Sequence, residues 1–410
     1  VVDPRPRPRP VPSRALKAYL FLYFATIGVL EPYLNLYLRR LGFTGTEIGA
    51  LAAIPPGVSV LAPFLWTAWA DATGRARAVF LWNTWVAGLC FVPVLLVRSF
   101  GLLAACLTLF TLVRTPLIPL ANSLAFQALG PRREHYGRIR LWGSLGYIVA
   151  AVAGGAVADH MGVAPVLAGV AALLAGCGVV ATASLGEWAP SGPVPLGAGL
   201  AALLRGSGFR LFLAAAFLAQ LSAGPYNTFF TIQLDALGIS QAVTGWAWAV
   251  GVACEVVVMG AWPRLVGRAG PERLLAVAAG ARALRWWLTA AATHPAALVA
   301  IQSLHGLTFG AFYLASVQIV DERVRPDLRA TGQGLYAAWV FGVGGVAGNS
   351  LAGLLFDRMV LPGLYRLSAL VALGATILCL CIRPPGGIRP MNRRGAGRGR
   401  PEGPARGAEV

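Results

Sequence analysis

Apolar runs of about twenty residues recur along nearly the whole chain, and no other feature constrains its fold so tightly. A helix of that length rises about 30 Å, which matches the hydrocarbon core of a bilayer. Twelve runs are read, near residues 17–39, 47–70, 77–97, 101–127, 140–158, 163–185, 208–234, 243–263, 273–292, 296–320, 331–355 and 363–382. With 57% of the 410 residues hydrophobic and 12% charged, the chain is expected to be an all-α membrane protein of twelve transmembrane helices.

The net charge of +18 raises the question of nucleic acid, and the placement of the basic residues answers it. With the N-terminus in the cytoplasm, tails and inner loops hold 26 of the 34 Lys and Arg. Outer loops hold five (Arg39, Arg40, Arg98, Arg358 and Arg366), and three lie inside spans. This is the positive-inside pattern of a multi-pass protein of the cell (plasma or inner) membrane with both termini cytoplasmic. The partner it implies is the lipid bilayer, not nucleic acid. All six cysteines fall in apolar spans and read as small hydrophobes. The first run is a full span without a small-residue cleavage site, so it is expected to remain as the first helix.

Two stretches repeat at nearly constant offset. "LGFTGTEIGAL" from Leu41 corresponds to "LGISQAVTGWA" from Leu237, 196 residues on, and "GGAVADHM" ending at Met161 to "AGLLFDRM" ending at Met359, 198 residues on. A parallel repeat of two six-helix halves follows, with a central cavity where the halves meet. The expected organisation is a disordered head at 1–16, a bundle at 17–185, a cytoplasmic linker at 186–207, a second bundle at 208–382 and a disordered tail at 383–410. Pro32, Pro55, Pro56, Pro116, Pro119 and Pro225 each remove a backbone donor inside a span. Neighbouring helices or cavity water must then satisfy the freed carbonyls.

Ionisable groups inside spans are few. Glu31 and Glu255 are the two acidic residues well within them, with Arg114, Arg282 and Arg285 beside them. An ionised side chain at mid-bilayer costs roughly 2.5 to 3.5 kcal/mol on insertion scales, so each is expected to face protein or water. A structural ion pair is the competing role, and it weighs most for Arg282 and Arg285. Three arginines against two glutamates leave one positive charge, which suits an organic anion. A carboxylate that takes a proton when buried and releases it when hydrated couples transport to a proton gradient. His305, the one histidine inside a span, is either a packing residue or part of that relay.

Missing motifs narrow the class further. Lys17 is the only lysine, so there is no GxxxxGK[ST] loop for ATP, and HExxH, GxSxG and CxxC are absent. Neither an enzyme nor a bound cofactor is expected.

The segment "FLWTAWADATGRAR" at 64–77 resembles the inner-loop signature of the major facilitator superfamily, matching at Asp71, Gly74 and Arg75, while Thr67 stands where glycine is usual. "YGRIRLWGSLGYI" (136–148), "WAVGVACEVVVM" (248–259), "ALRWWLTAA" (283–291) and "IQSLHGLTFGAFY" (301–313) resemble the phenylpropionate-permease-like branch, related in fold to nucleoside and oligosaccharide proton symporters. The resemblance implies the major facilitator fold and places Arg138, Arg140 and Trp142 in the inner loop before helix 5. It aligns Glu255 with a helix 8 glutamate, Arg285 and Trp286 with a helix 9 pair, and Gln302 and His305 with a helix 10 pair. Asn122 stands where that branch commonly has aspartate, and Tyr313 where it has histidine.

The expected function is secondary active transport of a small organic solute, an aromatic organic acid first, by proton-coupled alternating access in a monomer. Glu255, His305 and Glu31 are the proton-coupling candidates. Arg114, Asn35, Tyr226, Asn227, Arg285 and Gln302 are the substrate candidates, and Asp71, Gly74, Arg75, Arg138 and Arg140 the conformational loop motif. The alternatives are a nucleoside or sugar symporter or a drug exporter of the same fold, and, in another class, a non-transporting membrane sensor or scaffold.

Overall fold

The computed structural model describes residues 13–130, 135–184, 203–204 and 206–383. The head before residue 13, the linker at 185–202 and the tail after 383 lie outside the described residues. Among the described residues the chain is helical throughout, without strands.

The rods, in chain order, are α1 (Ser13–Arg40), α2 (Gly45–Thr73), α3 (Ala76–Leu96), α4 (Phe100–Leu129), α5 (Tyr136–Met161), α6 (Val163–Ser184), α7 (Ser207–Ala236), α8 (Gln241–Ala269), α9 (Pro271–Ala291), α10 (Pro295–Arg323), α11 (Arg329–Phe356) and α12 (Leu361–Leu380). Eleven are long and apolar enough to cross a membrane; α9 is long enough, but Arg282 and Arg285 reduce its hydropathy. Exposed Leu89, Leu145, Val257, Leu284, Leu370 and Ile377 give the bundle the apolar outer surface that a bilayer requires. α1 begins at Ser13, ahead of the expected start at Lys17.

Local chemistry sets the ends. Thr44 and Glu47 form a capping box at the start of α2, and Ser240 accepts a hydrogen bond from the Val243 amide at the start of α8. Gly74 closes α2 in the left-handed region at φ 64°, where a side chain would be strained.

The expected proline interruptions fall unevenly. α2 breaks after Val58, following Pro55 and Pro56; α4 breaks at Thr115 and Pro116; α7 breaks at Ser222 and Ala223, ahead of Pro225. α1 runs unbroken through Pro32. Two wide-turn stretches that sequence reading did not anticipate, Gly306–Ala311 in α10 and Ala337–Val343 in α11, also lie at mid-span.

Ser13 and Leu380 lie at one end of the bundle, called proximal here; the loops around residues 42, 98, 162, 238, 293 and 359 form the distal end. The rods of 13–184 and those of 207–380 meet along two seams, α5 against α8 and α2 against α11. The distal parts of these seams are tight. A Cβ on Gly155 would sit 2.3 Å from the Gln241 carbonyl oxygen, one on Gly245 2.3 Å from that of Ala151, and one on Gly49 2.7 Å from the Gly353 Cα. At the proximal ends of α5 and α8, a Cβ on Gly137, Gly260 or Gly267 meets nothing within 4 Å. The seam between α2 and α11 stays in contact further down, where Gly334 faces Phe64. The two segments are therefore in close contact at the distal end of both seams.

Candidate functional site

The broken and widened helices surround one cavity of about 610 Å³. From the first segment it is lined by Glu31 and Asn35 of α1, Pro55 and Pro56 of α2, Arg114 of α4, and Arg140, Ser144 and Tyr147 of α5. From the second it is lined by Gln220, Tyr226 and Asn227 of α7, Trp248 and Glu255 of α8, Arg282 and Arg285 of α9, and His305, Thr308 and Phe309 of α10. Every charged group singled out inside a span thus faces this one space, as the energetic cost of burying such groups requires.

Glu255 and His305 are brought together by glycines. A Cβ on Gly306 would lie 2.5 Å from the Cys254 carbonyl oxygen, so α8 and α10 approach there at a distance that suits glycine, and one on Gly310 would lie a tight 3.3 Å from Glu255 Cγ. A Glu255 carboxylate oxygen stands 3.9 Å from His305 Nε2. On the opposite side of the ring, Arg285 Nη1 lies 2.9 Å from His305 Nδ1 and donates to Thr308 Oγ1 at 3.0 Å, while its Nη2 donates to Gln302. The guanidinium lies 4.2 Å from the centre of the Tyr226 ring. Arg282 is tied to backbone, donating to the carbonyl oxygens of Ala219 and Thr308. Neither buried arginine of α9 hydrogen-bonds a carboxylate among the described residues.

Across the cavity, Glu31 accepts a hydrogen bond from the Tyr147 hydroxyl at 2.8 Å. Asn35 Nδ2 donates to the Asn227 carbonyl at 3.1 Å, joining α1 to α7. Arg140 lies over the Phe24 ring at 3.9 Å, and Arg114 lies between the rings of Tyr23 and Phe110 at 5.3 and 5.6 Å. Their guanidinium groups make aromatic contacts and no ion pair among the described residues. The cations differ in how they are held: Arg282 and Arg285 donate hydrogen bonds to protein, while the guanidinium groups of Arg114 and Arg140 rest against aromatic rings. The apolar part of the lining mixes aromatic rings, Phe24, Phe110, Trp248, Trp286, Phe309 and Phe341, with aliphatic side chains such as Ile27, Leu30, Leu34, Leu51, Leu107 and Val252. His305, Phe309 and Tyr313 stack along α10 at centroid spacings of 5.5 and 6.2 Å.

Several residues sit where sequence reading did not place them. Gln302 is fully buried behind Arg285 and does not line the cavity. Arg140, read as part of the inner-loop motif, lies one turn inside α5 and lines the cavity; Arg138 is exposed and does not. Asp71, Gly74 and Arg75 stay at the proximal end of α2, away from the cavity. Asn122 accepts a hydrogen bond from the Tyr136 hydroxyl at 2.8 Å. Tyr147, Gln220 and Trp248 were not singled out from sequence: they are uncharged, and only their meeting across the segments reveals them.

A helical bundle of this length and outer surface, enclosing one charged and aromatic cavity between two sets of rods, defines a multi-pass membrane transporter rather than an enzyme. The chain belongs to the MFS_1 like family, whose model matches residues 13–367. It is 29% identical to a maltose permease of Geobacillus stearothermophilus over 367 residues, covering 89% of this chain and 93% of that protein. It is 27% identical to a probable 3-phenylpropionic acid transporter of Escherichia coli (strain K12), covering 89% and 97%. In fold it is similar to the crystal structure of the nucleoside transporter NupG, with a TM-score of 0.81, 20% identity, and coverage of 90% of this chain and 98% of that one.

Proposed function

We propose that this chain is a proton-coupled secondary transporter of a small organic anion, an aromatic carboxylate being the substrate that suits the cavity. The observation that carries the reading is the charge balance: Arg114, Arg140, Arg282 and Arg285 face the same space as only two carboxylates, Glu31 and Glu255. Two excess positive charges in a low-dielectric site favour an anion, and Arg114 and Arg140 have donors to offer it bidentately. The aromatic lining suits a flat apolar body. The similarity to a probable 3-phenylpropionic acid transporter supports the same class.

Glu255 is the proton carrier in this reading, with His305 Nε2 3.9 Å from it and Glu31 as a second carboxylate. Asn35, Tyr226 and Asn227 are polar contacts, and Arg285 with Gln302 behind it shapes the field. Twelve helices in two six-helix halves, 17–185 and 208–382, rock about the cavity in a monomer. The proximal end, with both termini, faces the cytoplasm of the cell membrane.

A second reading is an uncharged sugar or nucleoside, favoured by the amide and hydroxyl lining of Asn35, Ser144, Gln220 and Asn227 and by the similarity to a maltose permease. Equilibrium binding of aromatic carboxylates, nucleosides and sugars to purified protein separates the two. Saturable carboxylate binding that is lost in Arg114→Ala supports the first, and sugar or nucleoside binding unaffected by that change supports the second.

A further inference from the structure

The two stretches that carry the internal repeat also meet each other across the distal mouth. Asp357, just past α11, accepts hydrogen bonds from the Gly45 amide at 2.8 Å and the Thr46 amide at 2.7 Å, and from the Thr46 hydroxyl at 2.7 Å. Asp159, near the end of α5, accepts from the Gln241 amide at 2.6 Å and the Ala242 amide at 2.9 Å. In sequence Asp357 is the counterpart of Asp159 at the 198-residue offset, and Gln241 and Ala242 are the counterparts of Gly45 and Thr46 at 196. Each carboxylate thus grips the start of a helix in the other segment. We propose that Asp159 and Asp357 are paired latches that hold the distal mouth shut, and that opening the cavity to that side requires both to release.

The chemistry of a helix start explains why a carboxylate suits this task. The first amides of a helix have no partner within it and point outward at the positive end of its dipole. In both helices the cap residue satisfies a later amide: Thr44 Oγ1 accepts from Glu47 and Ser240 Oγ accepts from Val243. The earliest amides are left for the opposing aspartate. When the mouth opens, water replaces the carboxylate at those amides and hydrates the aspartate, so a latch of this kind releases without leaving a buried unsatisfied group. A latch that had to break a buried ion pair would be much harder to open.

The approach is close enough that the surroundings must be small. A Cβ on Gly45 would lie 2.7 Å from Asp357 Oδ1 and 2.4 Å from Phe356 Cδ1, and one on Gly155 would meet the Gln241 carbonyl oxygen. The exposed pair of Arg40 and Asp235, at 2.7 Å, also crosses between the segments at this end. Arg40 is exposed and Asp235, which also accepts from Gln241 Nε2 at 3.0 Å, is only partly buried, so this ion pair contributes little by comparison.

The proposal rests on the alternating-access reading, and its test does not use transport as the readout. Spin labels on Ser99→Cys and Thr293→Cys, exposed distal-loop positions on opposite segments, report the width of the mouth in protein whose native cysteines are replaced. Asp159→Ala and Asp357→Ala are each expected to raise the ratio of wide to narrow distances about tenfold, the double variant about a hundredfold, and Asp235→Asn by less than about threefold. Asp159→Asn and Asp357→Asn, which keep an acceptor but lose the charge, are expected to lie between wild type and alanine. A narrow distribution unchanged in the double alanine variant, in protein that remains monodisperse and helical, overturns the proposal. So does a single variant that opens the mouth as far as the double. If the distances respond as expected while the wild-type protein moves no solute, the latches stand and the transport reading falls.

Discussion

His305 turns one ring nitrogen to a cation and the other to a carboxylate: Nδ1 lies 2.9 Å from Arg285 Nη1, and Nε2 lies 3.9 Å from Glu255. A guanidinium only donates, so Nδ1 accepts and the ring hydrogen sits on Nε2, directed at Glu255. Arg285 is itself fixed by Thr308 and Gln302, so the tautomer is imposed by a rigid partner. His305→Asn keeps an acceptor for Arg285 and removes the Nε2–H that points toward Glu255 from 3.9 Å. Counterflow exchange in proteoliposomes is expected to persist in this variant, while accumulation driven by a pH gradient falls toward the level without a gradient. Gradient-driven accumulation at the wild-type level would leave His305 as a packing residue.

Glu255→Gln retains the side-chain shape but holds it in the uncharged form. Exchange without a gradient is expected to continue, and uphill accumulation is expected to disappear, because the carrier can no longer release a proton on one side and take one up on the other. Parallel uptake and counterflow assays on one preparation check this.

Arg114 lies between Tyr23 and Phe110 and lines the cavity. Lysine keeps the charge and loses the planar fork, so Arg114→Lys is expected to weaken carboxylate binding about fivefold, roughly 1 kcal/mol, with normal insertion. Titration calorimetry on purified protein measures it, and unchanged affinity would return Arg114 to a structural role.

The helical rods were legible in the sequence because hydrocarbon thickness sets their length and leaves little freedom. The Glu255, His305 and Arg285 constellation was legible for a related reason: charges in apolar runs must converge on a shared polar space. Arg140 was misplaced because it follows the loop so closely that only its stacking on Phe24, from another helix, reveals its position inside the bundle. Gln302, expected as a substrate contact through the resemblance that pairs it with His305, is instead buried behind Arg285 and away from the cavity lining. Asp159 and Asp357 were visible as members of a repeat, but their partners are backbone amides 82 and 311 residues away, and backbone donors leave no trace in side-chain pattern.

Asp357 lies beyond the end of α11, outside the spans. Burial pushes its carboxyl up, but hydrogen bonds from Thr46 and Gly45 and the nearby Arg39 more than reverse this, so the group sits below its ordinary value. Glu47, the other acidic group at the start of α2, is held in its own capping box. A carboxyl lowered in the latched state favours closure fully above the value it has when released, and that favour is lost as pH falls through the latched value. The distal mouth is therefore expected to widen below about pH 4, near the ordinary aspartate value, and Asp357→Asn is expected to remove part of that dependence. The distance between labels at residues 99 and 293, followed against pH, reads it directly.

The most direct test of the account is uptake of a radiolabelled aromatic carboxylate by proteoliposomes of the wild-type protein, with and without an inward proton gradient, beside a nucleoside and a sugar. The account predicts accumulation of the carboxylate above equilibrium only when the gradient is present, collapse of that accumulation by a protonophore, and no accumulation of the uncharged solutes. Gradient-independent movement of the sugar or nucleoside, with the carboxylate left outside, would contradict it.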